Sequence, residues 1–165
     1  MGLVPDIDKS ATISNVRSFF WNDKKYQRIK RRAWWDGIKS TTTDATGVHG
    51  SCKGNSSEDM MIDYAAYAQA KRAVDYAIKG CSNNKMFPSQ DILQFRYIDQ
   101  NEVREVKEKL RGKYGHDTYI RADKQACYEF AECIDGVTRK LHVDRKIIPK
   151  MLVKKTGSKQ ETNGN

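Results

Sequence analysis

Thr118, Tyr119, Arg121, Ala122, Lys124 and Gln125 occupy the first turns of a helical pattern that begins near His116 or Asp117. These residue types at this spacing suit contact with a nucleic-acid duplex. An arginine can pair with both acceptors of a guanine edge, and a glutamine with the donor and acceptor of an adenine edge. That assigns base contacts to Arg121 and Gln125. Lys124 adds charge, while Thr118 and Tyr119 can hold phosphates, contacts that position a protein without reading sequence. Lys107, Lys109, Arg111 and Lys113 come just before and inside the preceding turn, where a neighbouring backbone strand would pass.

Such a helix needs partners behind it, and the segment from Ser89 to Asp135 supplies them in order. Ser89 is the expected N-cap of a dense apolar helix carrying Ile92, Leu93, Phe95, Tyr97 and Ile98. A second start follows at Asp99 or Gln100, with Val103, Val106 and Leu110 as its inner stripe. Gly112 and Gly115 bracket a short turn. The next helix runs to about Asp135, buries Ile120, Cys127, Phe130, Ala131 and Ile134, and is closed by Gly136. Helix, tight turn and helix is the order in which a second helix enters the major groove. From Asn101 to Asp135 there are seven basic and eight acidic residues, so this unit is not a positive block. Asp117 can cap the helix. Asp123 lies on or near the same surface with no capping role.

The formal charge of +9 comes instead from the two ends of the chain. The spacing of Ile13, Val16, Phe20, Ile29 and Ala33 predicts one helix from Ser10 or Thr12 to about Trp35. Its second half carries Lys24, Lys25, Arg28, Lys30, Arg31 and Arg32, followed by Trp34 and Trp35. This is either a solvated face or a phosphate-contacting one, with Arg28, Arg31 and Arg32 as candidates. Five segments are expected: a basic N-terminal helix over 1–35, a flexible linker over 36–56 and a helical domain over 57–136 containing the helix-turn-helix at about 100–135. A basic extension over 137–155 and a disordered tail over 156–165 complete the chain. The linker contains four glycines and almost nothing apolar. Ser56 is the expected cap of a helix over 57–79, anchored by Met61, Tyr64, Ala68, Val74 and Ile78 and ended by Gly80. Tyr64, Tyr67 and Tyr76 on it read as packing residues.

Other functions find little support in the residues. The four cysteines, Cys52, Cys81, Cys127 and Cys133, contain no CxxC pair, and the His49–Cys52 spacing has no partner pair at a zinc-site interval. No metal and no cofactor is expected, and the thiols read as reduced. The three histidines are scattered, no glycine-rich phosphate loop follows a strand, and no carboxylate cluster suggests a nuclease, so an enzyme is not expected. Asp6 and Asp8 stand where a secretory signal would be basic, and no apolar run is long enough to cross a bilayer. A cytoplasmic protein without membrane contact is expected.

Several short pieces in fixed order carry a resemblance. They are Asp6-Ile7-Asp8 before a basic helix, Gly54-Asn55-Ser56 followed by Glu58, the run from Ile92 through Asp99, and Ala126 with Glu129-Phe130-Ala131. From Pro5 to Ala131 the chain resembles the ArpU-type phage transcriptional regulators of Gram-positive bacteria. The resemblance implies an all-α fold whose C-terminal half is like region 4 of bacterial sigma factors. It also implies a regulator of phage late genes in the host bacterial cytoplasm, acting on double-stranded DNA and with host RNA polymerase as a further partner. By position it carries Thr118, Tyr119, Arg121 and Lys124 to the recognition surface. Asp117 departs from the more basic helix start of related proteins, and the basic tail beyond Arg139 is an addition. A monomer or small homo-oligomer is expected. Two other readings stay open: a small helical DNA-recognition subunit of a phage packaging machine, which would form rings, and an adaptor for a host protein.

Overall fold

Aromatic rings from four separate helical segments meet at one point and organise the chain. Phe20 lies 5.4 Å from Tyr26, 5.4 Å from Tyr97 and 5.3 Å from Phe130, measured between ring centroids. The computed structural model describes residues 6–39, 56–110 and 114–156. The secondary structure of these residues is helical apart from one isolated antiparallel bridge between Ile7 and Lys154. No helix among the described residues is long and apolar enough to cross a membrane.

Helix α1 spans Lys9–Arg17 and starts on Asp8, whose carboxylate accepts a hydrogen bond from the Ala11 N–H at 3.0 Å. It widens into a π-helical turn over Ser18–Asn22 and stops at Asp23 and Lys24. Lys24 has φ of 50°, in the left-handed region, and α2 then runs over Lys25–Lys39. The single helix expected to run through Trp35 is therefore two. The reason is the aromatic core: six residues apart on one straight helix, Phe20 and Tyr26 would point in different directions. The left-handed corner lets both reach the same centre. Helix α2 also extends past Asp36, where the linker was expected to begin; residues 40–55 lie outside the described ones.

Helix α3 covers Ser56–Lys79, close to its expected limits. Ala70, Ala73, Val74 and Ala77 are buried on it, and these small side chains allow close approach to α2 and α6. Tyr67 packs on the core, but Tyr76 is 56% exposed, contrary to its reading as a packing residue. Helix α4, Ser89–Ile92, passes into a second π-helical stretch, Leu93–Ile98. Ser89 is not its cap: Pro88 holds that position, and the Ser89 hydroxyl is buried without a hydrogen-bond partner.

Helix α5 spans Val103–Lys109. It starts three or four residues later than the expected Asp99 or Gln100, because Gln100, with φ of 58°, turns the chain first. Glu102 caps it, and Glu105 reaches back to accept the Glu102 N–H at 3.1 Å. Helix α6 runs over His116–Lys140 and does not close at Gly136. That glycine sits on the exposed side, while Asp135 and Thr138 next to it are buried. Beyond α6, Val143, Ile148 and Met151 enter the core, so part of the basic extension is an interior element. Its end lies along the chain's start: Asp8 N–H donates to Val153 O at 2.8 Å, and Val153 N–H to the Thr12 hydroxyl at 3.1 Å.

Candidate nucleic-acid interface

The first half of α6 has a supported side and an open side. Ala122, Ala126, Cys127 and Phe130 are buried against the core, and Thr118, Arg121 and Lys124 are exposed. Asp117 stands in the first turn, where a negative charge favours the helix terminus. Among the described residues neither Arg121 nor Lys124 is in an ion pair, so both retain their full donor capacity.

Two residues expected to project outward do not. Ala122 is 1% exposed and Tyr119 is 4% exposed. The Tyr119 ring is an apolar body that the core accommodates, and Lys107 Nζ lies 5.5 Å from its centroid. Burial pushes the Tyr119 hydroxyl up to about 12. A phosphate contact from this residue is thereby removed from the exposed set. Gln125 is half-buried, and its amide donates to Glu129 Oε1 at 3.0 Å. It is tied to its own helix.

Asp123 is the larger correction. It is buried, turned away from the open side, and its Oδ2 accepts from Arg17 Nη2 at 2.8 Å. The Tyr97 hydroxyl bonds the same carboxylate at 3.0 Å and 3.1 Å, and the Cys127 thiol donates to the Tyr97 oxygen at 3.1 Å. The acid that spoiled the charge pattern in the sequence is an internal tie between α1, the second π-helical stretch and α6.

Beside this tie, α1 and α6 enclose an open cleft of about 960 Å³. Arg121, Lys124 and Gln125 line it together with Lys9, Arg17 and Arg96, and Asp123 is its one carboxylate. Since Asp123 is satisfied by Arg17, the cleft keeps a positive excess. Arg96 lies over Trp21, with its guanidinium carbon 4.4 Å from the ring centroid, and donates to Asn101 O at 2.8 Å. Lys9 sits over Tyr128 at 5.1 Å. Sequence reading missed Lys9, Arg17 and Arg96. Nothing in the spacing of Arg96, inside an apolar run, or of Lys9 and Arg17, at the two ends of α1, marks them as neighbours of α6.

The remaining candidates lie elsewhere. Arg28, Arg31 and Arg32 are on α2 and do not line the cleft. Arg28 and Arg31 are exposed, but Arg32 pairs with Asp63 at 3.7 Å and lies 4.7 Å over the Tyr67 ring. Trp34 and Trp35, 63% and 49% exposed, follow on the same helix. Lys109 on α5 rests over Phe95 at 5.3 Å. Arg111 and Lys113 lie outside the described residues. No group of three or more metal-ligating side chains occurs among the described residues. No protein-family model, curated protein or solved structure matches this chain.

Proposed function

We propose that the chain is a sequence-specific double-stranded DNA-binding regulator in which α5, the following turn and α6 act as a helix-turn-helix. The observation that carries this reading is the unpaired state of Arg121 and Lys124 on the open side of a helix whose other side is packed. Arg121 reads a guanine edge in the major groove, and Thr118 and Lys124 hold the flanking backbone. Lys9 and Arg96 in the adjoining cleft, and Arg28 and Arg31 on α2, add sequence-independent phosphate attraction. The resemblance to ArpU-type regulators and to sigma region 4 extends the proposal to phage late genes, with host RNA polymerase as partner in the bacterial cytoplasm.

Footprinting on the phage genome, with and without host polymerase, tests it. A discrete protected site upstream of late genes is expected, and Arg121→Ala should relax preference at one base-pair position. Binding that follows salt alone and protects no site would remove the regulator reading. Ring-shaped oligomers in solution would favour a packaging role instead.

A further inference from the structure

Helix α3 ends against the middle of α6, and two thiols meet there. Glu129 on α6 accepts the backbone N–H of Ser82 at 2.7 Å. Gln90 donates to the carbonyl oxygens of Lys79 at 3.2 Å and Cys81 at 2.8 Å. The backbone around Cys81 is thus held in register with α6 by groups other than sulfur. Cys133 follows Glu129 by four residues, on the same side of α6. Its Sγ lies 3.2 Å from the point a β-carbon on residue 80 would occupy, so Gly80 is what admits the thiol. Cys81 is the next residue, 5% exposed; its thiol donates to the Ala77 carbonyl oxygen at 3.3 Å and interacts with the half-buried Cys133 thiol beside it.

The contact divides the two sulfurs by role. The interaction with Cys81 lowers the Cys133 thiol below its ordinary range, against the effect of partial burial. The same interaction, then burial, raises Cys81. Cys127 is unlike either. It is fully buried, burial pushes it up to about 12, and its S–H is spent on Tyr97.

We propose that Cys133 and Cys81 form a peroxide-responsive dithiol, with Cys133 the attacking sulfur and Cys81 the resolving one. The thiolate of Cys133 attacks one oxygen of hydrogen peroxide and breaks the O–O bond, giving a sulfenic acid and hydroxide, which leaves as water after taking a proton. The Cys81 sulfur then attacks the sulfenic sulfur. An S–S bond forms, and hydroxide departs with the Cys81 proton as a second water. Two thiols give up two electrons and two protons in all, and the peroxide is reduced to water. The bridge joins the end of α3 to α6 and closes a loop that contains α4 and α5. A thiolate beside a pre-placed second thiol is the arrangement that favours a disulfide over further oxidation.

The full chain treated with limiting hydrogen peroxide, then alkylated and digested without reduction, tests this by peptide mass mapping. A linked Cys81–Cys133 peptide that dithiothreitol reverses is expected, with Cys127 still a free thiol. Cys81→Ser should leave a sulfenic acid on Cys133 that dimedone traps. Gly80→Ala, which crowds the Cys133 sulfur, should slow the bridge several-fold. Conversion of Cys133 to sulfinic acid with no linked peptide overturns the proposal, and so does a bridge to Cys52. The mapping uses the unaltered chain, so it decides the matter even where a variant does not fold.

Discussion

The Arg17 guanidinium lies 2.8 Å from the Asp123 carboxylate and thereby sets the position of α1 against the second turn of α6. Burial works against the charge on Arg17, but hydrogen bonding with Tyr97 and Asp123 outweighs it and holds the proton more firmly than usual. The tie matters to the proposed interface because it lies in the wall of the cleft and pairs the single carboxylate there with a cation.

Asp123→Ala should therefore cost more than a surface change. It strands the Tyr97 hydroxyl and the Arg17 guanidinium. Since the Arg17 side chain is 43% exposed, water recovers part of the loss, and about 2 kcal/mol is expected. Tyr97→Phe, which keeps the ring but removes the donor to Asp123 and the acceptor of the Cys127 thiol, should cost about 1 kcal/mol. Urea unfolding of both variants measures this. Equality with an exposed control such as Glu108→Ala would mean that the tie contributes nothing to stability.

Arg31 and Arg32 are neighbours in sequence with different tasks. Arg32 is engaged by Asp63 and Tyr67, whereas Arg31 is exposed. Arg31→Ala should weaken binding to all DNA sequences alike and lower the magnitude of the log–log salt slope by about one. Arg32→Ala should act chiefly on stability, by about 0.5–1 kcal/mol. Salt titration of DNA binding and thermal melts separate the two effects; the reverse pattern would contradict this assignment.

Ile148 is fully buried although it lies in the segment that reads as a basic extension. Ile148→Ala should cost about 2–4 kcal/mol, the range for truncating a core aliphatic side chain. A chain cut after Lys140 should lose cooperative melting. A cooperative transition at the original midpoint in the shortened chain would place residues 141–156 outside the folding unit.

Alkaline pH should destabilise the fold through its buried tyrosines. Burial raises Tyr26, and burial likewise raises Tyr119, from 10.0 to about 12. In the folded chain each keeps its proton where the unfolded chain has lost it. Their contribution is complete below about pH 10 and declines as pH rises toward 12. Phenolate absorbance and far-ultraviolet circular dichroism should change together over that window. Ionisation of these tyrosines near pH 10 with the helices intact would contradict the burial argument.

The parts legible in the sequence are those that local rules decide. The limits of α3 follow from its apolar period and Gly80, and the start of α6 follows from Gly115, which precedes it. The exposed set Thr118, Arg121 and Lys124 was legible because a helix with apolar residues on one side leaves the other side open. Tyr119 was not, since a tyrosine can face either way until a core forms around its ring. Gly136 also misled: a glycine inside a helix costs only about 1 kcal/mol, and packing of the flanking Asp135 and Thr138 outweighs it.

By itself, the sequence determined that the chain is helical, that its positive charge gathers at the two ends, and which side of α6 carries free cations. Tertiary structure decided the break at Lys24, the inward turn of Asp123, the interior place of Ile148 and Met151, and the meeting of Lys9, Arg17 and Arg96 with α6. Helix propensity and apolar period act between residues within a few turns. These latter outcomes depend on which distant side chain fills a space or meets a charge, and only the packed chain specifies that.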